Sequence, residues 1–365
     1  MLLGIDASRA ISPQRTGTEN YSLYLIGHLL ALNDHRYRLY FNAAPPPGLF
    51  PPSERWEARV MPFPRLWTHL RLSWEMVRCP PDLLFVPAHV IPLIHPRSVV
   101  TVHDLGYIYY PQAHRPFDRL YLDLSTRFNA NVASQIIADS EATKNDLVQK
   151  YRVPEERITV VYPGCNLEPV IDEAGWEGVK ERYHLPDRYI LHLGTLHPRK
   201  NILRLLEAFQ SLARDFPDLH LVLAGKKGWL YEEILHKAEG LGGRVHFPGY
   251  IASEDLAAIL RGARLFILPS LYEGFGFPIL EAMAAGTPVV CSNASALPEV
   301  AGDAALLFDP HDVEAMRETT RKVLEDEALR AELVERGLER AKFFSWERCA
   351  RETLSVLEKV GGSYE

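Results

Sequence analysis

The sequence predicts an α/β protein made of two doubly wound, Rossmann-like parallel-sheet domains in tandem. Three observations predict it. Short apolar runs alternate with amphipathic stretches of helical period along the whole chain, the pattern of parallel strands covered on both faces by helices. The 365 residues, 47% of them hydrophobic, are enough for two cores and more than one ordinary domain needs. Between two such series lies Pro163–Lys180, which carries Pro169, Gly175 and Gly178 and no strand pattern, and it reads as the boundary.

In the first series, strands read at Leu2–Asp6, Tyr37–Phe41, Ala58–Met61, Leu83–Val86, Val99–His103, Gln135–Ala138 and Ile158–Val161, and helices at Glu19–Leu32, Phe117–Asn131 and Glu141–Lys150. Ser140 stands where an N-cap is wanted before the last of these helices. In the second series, strands read at Tyr189–Leu193, His220–Ala224, Arg244–Phe247, Leu265–Leu268 and Pro288–Ser292. Helices at Ile202–Arg214, Glu232–Gly240, Glu254–Gly262 and Pro278–Ala285 alternate with them, and Ser345–Leu357 is a further amphipathic helix. The chain has no low-complexity tract and no repeat shorter than a domain.

A formal net charge of -7 argues against a broad nucleic-acid surface, so cations for an anionic ligand must be concentrated locally. Cys79, Cys165, Cys291 and Cys349 are far apart, without metal-ligand spacing, and read as free thiols of a reducing compartment. The opening MLLGIDAS is too short an apolar run for a signal peptide, and no stretch reaches a membrane-spanning length. The expected location is cytoplasmic, with the inner face of the plasma membrane as the place a peripheral contact would put it.

In open parallel sheets, ligands sit beyond the carboxyl ends of the strands, and there the loops carry unusual residues. Gly194-Thr195-Leu196-His197-Pro198-Arg199-Lys200 puts two adjacent cations before a helix beginning near Asn201. Arg199 can fork onto phosphate oxygens and Lys200 can act as a point charge. The plainer reading of the pair is a solvated flank of a helix start. Ser270-Leu271-Tyr272-Glu273-Gly274-Phe275-Gly276-Phe277 leads into a helix at Pro278, which Gly286 follows. The glycines allow close backbone approach to a ligand. Glu273 and, eight residues later, Glu281, expected in the first helical turn, can accept hydroxyl hydrogen bonds from a sugar and a ribose. Alternatively they are a turn residue and a helix-dipole residue.

The runs SLYEGFGFPILEAMAAGTPVV, LHLGTLHPRKN and LPEVAGDAALLFDP resemble the GT4-type (glycosyltransferase group 1) family of retaining GT-B glycosyltransferases. The likeness continues through HDLGYIYYP, ADSEATKNDL, VVYPGCN, RVHFPGYIASEDL and RAKFFSW. Within the family the chain looks most similar to bacterial mannosyl-, rhamnosyl- and glucosyltransferases of polysaccharide assembly. The resemblance implies two Rossmann-like domains facing across a cleft. Residues 1–166 would form the acceptor side, completed by a C-terminal helix over 345–365, and 167–344 would bind the nucleotide-sugar donor.

The resemblance also implies roles. Arg199 and Lys200 match the pair on the donor diphosphate, and Glu273 the carboxylate near the transferred sugar. Gly274, Phe275 and Gly276 belong to the same loop, the last two offering amides. Glu281 matches the ribose carboxylate, and Gly249-Tyr250-Ile251 the backbone that reads the base. Gly17 matches a glycine approaching the diphosphate, although Arg15-Thr16-Gly17-Thr18 lacks the second glycine usual there. His103 matches the histidine facing the reacting carbon; its bland alternative, shared with Asp104, is to cap a strand end. His184, His192, His197 and His246 read as structural.

The implied reaction moves a hexosyl group from a nucleoside-diphosphate sugar to a glycan or lipid-linked acceptor, with retention. No Asp-x-Asp pattern occurs, so the cationic pair is expected to replace a metal, and no cofactor is expected. GDP-mannose ranks first among donors, ahead of UDP-glucose and other sugar nucleotides. A sugar-nucleotide epimerase or binding protein of the same architecture is the rival reading, whereas a dehydrogenase would need the GxGxxG that the chain lacks. Arg65–Arg78, with Leu66, Trp67, Leu70, Trp74 and Val77 among Arg65, Arg71 and Arg78, reads first as a helix packed on the first domain. Contact with an anionic membrane is its alternative.

Overall fold

The computed structural model describes residues 1–13, 15–32, 35–88, 90–113, 115–167 and 173–362. Pro169 of the expected boundary and the last three residues of the expected C-terminal helix lie outside them. The chain divides into two compact units. One comprises Met1–Leu105, Pro116–Gly164 and Phe344–Glu365; the other comprises Gly106–Arg115 and Cys165–Phe343. The first domain therefore does not run unbroken through residue 166 as expected, because Gly106–Arg115 belongs to the second unit.

In the first unit, β1 (Leu2–Asp6), β2 (Arg36–Phe41), β3 (Trp56–Val60), β4 (Leu83–Val86), β5 (Ser98–Val102), β6 (Gln135–Ala138) and β7 (Ile158–Val160) form a parallel sheet in the order β3-β2-β1-β4-β5-β6-β7. β4 and β5 are buried at every position, which is why LLFV and SVVTV are continuous apolar or hydroxyl runs without polar alternation. The helices up to this point are α1 (Gly17–Leu32), a π-helical turn (Trp67–Leu72) continuing into α2 (Ser73–Arg78), α3 (Gly106–Tyr109) of the other unit, α4 (Pro116–Val132) and α5 (Glu141–Tyr151). The backbone N–H of Thr16 donates to the Glu19 carboxylate at 3.0 Å, the return bond of a T-x-x-E capping box that starts α1. Ser140 caps α5, accepting from Thr143 N–H at 3.1 Å.

In the second unit, β8 (Tyr189–Leu193), β9 (His220–Ala224), β10 (Val245–Gly249), β11 (Leu265–Leu268), β12 (Val289–Ser292) and β13 (Ala305–Phe308) form a parallel sheet in the order β10-β9-β8-β11-β12-β13. Around it stand α6 (Glu173–Arg182), α7 (Ile202–Asp215), α8 (Glu232–Glu239), α9 (Ser253–Gly262), α10 (Phe277–Ala284), α11 (Leu297–Ala301), α12 (Val313–Glu325) and α13 (Glu327–Lys342). One apolar core joins Leu205, Phe209 and Leu212 of α7 to Leu221 and Leu223 of β9, Ile267 of β11 and Met316 of α12. The sequence pattern did not mark β13, which lies at the sheet edge with Leu306 half-buried and Leu307 exposed. α6 occupies part of the stretch taken as boundary.

α14 (Trp346–Gly361) returns to the first unit, with Trp346, Cys349, Ala350, Val356 and Leu357 buried. A Cβ at Gly164 would lie 2.2 Å from the backbone nitrogen of Trp346, so glycine is what lets the chain leave β7 past the start of α14. Of the apolar residues in Arg65–Arg78, Trp67, Leu72 and Met76 are buried, but Leu66, Leu70, Trp74 and Val77 are exposed. The expected packed face is thus only half of that segment.

Candidate functional site

In the second sheet, β8 and β11 are neighbours from which strand order runs in opposite directions, the place where open α/β sheets bind ligands. The loop after β8 folds as a 3-10 turn over Pro198–Lys200, closed by Asn201 at φ 58°. Arg199 and Lys200 therefore sit ahead of α7 and not in its first turn, since α7 opens only at Ile202. Asn201 tolerates the left-handed region, and its Nδ2 donates to Pro269 O at 3.0 Å and Pro310 O at 2.7 Å. This buried amide pins the turn to the loop after β11.

The two loops are then tied at their chemical ends. Leu271 N–H donates to Arg199 O at 2.9 Å. Lys200 Nζ donates to Glu273 Oε1 at 2.5 Å, and both side chains are about nine-tenths buried. Burial alone would raise the Glu273 carboxyl, but the charges of Lys200 and Arg199 hold it below the ordinary carboxylate range. Its backbone is fixed by Ser295, whose Oγ accepts from Glu273 N–H at 2.7 Å and donates to Glu273 O at 2.9 Å. Behind Lys200 lies His192, fully buried, whose Nδ1–H donates to Ile267 O at 3.1 Å. Desolvation, reinforced by Lys200, lowers its pKa to about 4. His192 is thus neutral at ordinary pH and adds no charge that would compete with Lys200 for an anion.

Gly276, at φ 110°, caps α10, and a Cβ there would meet Leu297 Cδ2 at 2.6 Å. Phe275 is buried with its ring 5.1 Å from that of Phe277, and Gly274 is buried between Glu273 and Phe275. Glu281 falls in the second turn of α10, one turn later than expected. Desolvation raises its carboxyl to about 7, and the Cys165 thiol, pushed up mainly by burial, feels its charge. Register Leu193↔Ala224 brings Gly194 beside Gly225, and Gly225 N–H donates to Gly249 O at 2.7 Å. The loops after β8, β9 and β10 converge in this way. Ile251 is buried, while Tyr250 is 38% exposed with Lys226 Nζ 5.0 Å above its ring.

The segment Gly106–Arg115 completes this edge. A Cβ at Gly106 would lie 2.5 Å from an Arg199 guanidinium nitrogen. Tyr109 stacks on Tyr272 at 5.3 Å, and Tyr110 OH donates to Leu271 O at 3.2 Å. In the sequence this segment stands out only as part of the motif HDLGYIYYP of the first half. Its contribution, with those of Asn201, His192 and Ser295, was missed; the glycine and paired tyrosines of HDLGYIYYP are the signal that could have found it.

In the first unit, register Val102↔Ala138 sets His103 beside Asp139 at adjacent strand ends. His103 Nδ1 is 2.6 Å from Asp139 Oδ2, and Nε2 is 2.8 Å from Pro87 O. Burial would lower the imidazole pKa, but Asp139 raises it above its ordinary value, and each ring nitrogen faces an oxygen. Neither nitrogen is open to a substrate in this arrangement, so a substrate contact by nitrogen would require exchange of one partner. Asp139 is a further residue that sequence reasoning passed over. Gly17 is the first residue of α1. Near this helix start, Ser8, Arg9, Ser12, Glu19, Asn42, Trp67 and Thr68 help line a cavity of about 480 Å³. Among the described residues, no group of three or more His, Cys, Asp or Glu is placed to hold a metal ion.

One seven-stranded and one six-stranded parallel Rossmann-like sheet place the fold in the GT-B class. The chain belongs to the group 1, family 4 glycosyltransferases. The description "Glycosyl transferases group 1" matches residues 179–340 and "Glycosyltransferase Family 4" residues 15–169. O-antigen chain mannosyltransferase B of Escherichia coli is 35% identical over 302 residues, 80% of this chain and 78% of that protein. The serotype-specific mannosyltransferase WbdA of the same organism is 33% identical over 73% of this chain, which spans 33% of WbdA. Among solved structures, sucrose-phosphate synthase from Thermosynechococcus elongatus superposes with TM-score 0.76 at 22% identity, covering 99% of both chains. HepE of Anabaena, in complex with UDP and glucose, gives 0.76 at 19% identity, covering 98% of this chain and 99% of that one.

Proposed function

We propose that this protein transfers a mannosyl group from GDP-mannose to a hydroxyl of a growing polysaccharide, with retention and without a resident metal. The observation that carries the reading is the buried Lys200–Glu273 pair with Arg199 beside it, at the carboxyl edge of the second sheet. Its relatives named as O-antigen and serotype-specific mannosyltransferases support the choice of sugar and of polymer. In this reading Arg199 and Lys200 take the donor diphosphate, and Glu273, released by Lys200, accepts hydrogen bonds from the hexose. Phe275 and Gly276 offer amides, Glu281 takes the ribose, and the backbone of Gly249-Tyr250-Ile251 takes the base. Gly17 and His103, both in the first unit, are the residues this reading assigns to positioning substrate.

The bond from C1 to the diphosphate breaks while the acceptor oxygen bonds to the same face of C1. The acceptor proton passes to the departing diphosphate oxygen. Charge grows on that oxygen, and fixed cations aimed at it lower the barrier. The test is a panel of GDP-mannose, UDP-glucose, dTDP-rhamnose and UDP-galactose, scored by thermal shift and by transfer to a mannose-terminated glycan, with and without EDTA. Transfer from GDP-mannose that survives EDTA is expected. Turnover of another donor alone would overturn the sugar assignment, and complete loss with EDTA that added Mg²⁺ or Mn²⁺ restores would overturn metal independence.

A further inference from the structure

Two neighbouring helical segments of the first unit turn apolar side chains outward. Leu66, Leu70, Trp74 and Val77 are each at least half exposed, and their spacing places them on one stripe along the turn and α2. α4 is inverted more plainly. Its buried positions are Ser125, Thr126, Asn129 and Ala130, whereas Phe117 is 77% exposed and Leu120 and Leu124 more than half. A helix that covers a core does the reverse.

The two stripes are one surface. His69 Nε2 lies 3.0 Å from Tyr121 OH, joining the turn to α4. Between them runs the loop with exposed Leu93 and Ile94. Ile94 N–H donates to Ser73 Oγ at 3.3 Å, and Ile91 N–H to Asn129 Oδ1 at 3.2 Å. A contiguous exposed apolar patch of this kind marks an interaction site.

The charges around it select the partner. Arg65 and Arg78, both exposed, bracket the first stripe, and Arg119 is exposed on α4. The one carboxylate within Arg65–Arg78, Glu75, is buried and paired with Arg71 at 3.2 Å. On α4, Asp123 is engaged by Arg127 and by Tyr151 OH, which leaves Asp118 as the exposed acid. This basic, apolar surface stands on a chain of net charge -7.

We propose that this face lies on an anionic lipid bilayer. Leu70, Trp74, Phe117 and Leu120 enter the boundary between headgroups and acyl chains, while Arg65, Arg78 and Arg119 pair with lipid phosphates. No helix among the described residues is long and apolar enough to cross a membrane, so the contact is peripheral. A two-fold contact with a second copy would set one net-positive face against another. The π-helical turn that carries Leu70 also contributes Trp67 and Thr68 to the cavity of about 480 Å³. On the glycosyl-transfer reading, a membrane-held acceptor would reach that cavity along the same turn; bilayer binding itself does not depend on that reading.

The test is co-sedimentation of the full chain, without donor, with vesicles of phosphatidylcholine alone or mixed with phosphatidylglycerol. Binding to the anionic vesicles, weakened by salt and by Arg65→Gln/Arg78→Gln, is expected. Leu70→Asp/Trp74→Asp and Leu120→Asp/Leu124→Asp should each weaken it by roughly tenfold or more. Both pairs are exposed, so an unchanged melting temperature checks that the fold is intact. No binding by the wild type, or equal binding by the folded double variants, overturns the proposal. So does a wild-type dimer that the variants convert to monomer, which would assign the face to a second copy. Vesicle binding in a protein that transfers no sugar would sink the transferase reading and leave this one standing.

Discussion

Removing Lys200 would leave the Glu273 carboxylate buried without its 2.5 Å partner. Breaking one side of such a pair costs far more than replacing both, so Lys200→Ala should destabilise the second unit by about 3 kcal/mol. Lys200→Met/Glu273→Leu should recover most of that loss and still transfer nothing. Denaturation and initial rates, measured on the same samples, separate the two effects; a double variant no more stable than the single one would mean that the pair is not what holds these loops. Glu281 gives a pH test. Its folded carboxyl titrates at about 7 against 4.5 in the free side chain. Between these values the folded state holds the extra proton, so stability falls as pH rises and the loss is complete above about 7. Glu281→Gln should therefore gain melting temperature over wild type with rising pH across that window and match it in acid. A difference that does not vary with pH would contradict the raised carboxyl.

At the scale of elements, the site depends on turns whose geometry is fixed by single residues. Gly106 lies where any Cβ would press on the Arg199 guanidinium at 2.5 Å. Gly106→Ala should displace Arg199 without opening a core, costing about 1 kcal/mol of stability or less but raising KM for the nucleotide sugar. Unchanged KM with an intact fold would show that Arg199 does not meet the donor. Gly276 differs, because its φ of 110° and the 2.6 Å approach to Leu297 both resist a side chain. Gly276→Ala should therefore lose stability as well as activity, by about 1–3 kcal/mol, which melting curves would register.

At the scale of the whole molecule, each unit is assembled from separated stretches of chain. α14 buries Trp346, Cys349, Ala350, Val356 and Leu357 in the first unit, so a chain ending at Phe344 exposes the core of that unit and spares the second. Calorimetry of that truncation should lose or lower the transition of the first unit while nucleotide still stabilises the other. A truncated chain that melts like the full one would mean that α14 is dispensable.

Taken alone, the sequence determined the class of fold, because parallel strands buried on both faces and amphipathic helices write their periods locally. Arg199, Lys200, Glu273 and Glu281 were legible as candidates because each stands at a strand–loop–helix junction whose glycines and prolines are contiguous in the chain. It missed β13, an edge strand, and it placed Glu281 a turn too early. Only the tertiary structure could bring Lys200 onto Glu273 across 73 residues, lay Tyr110 on Leu271 across 161 and bury His192 neutral beneath the lysine. It alone decided that both nitrogens of His103 are already engaged, and that α4 turns Phe117, Leu120 and Leu124 outward. Those outcomes are set by desolvation and by partners far off in the chain, and a local pattern of residues carries neither.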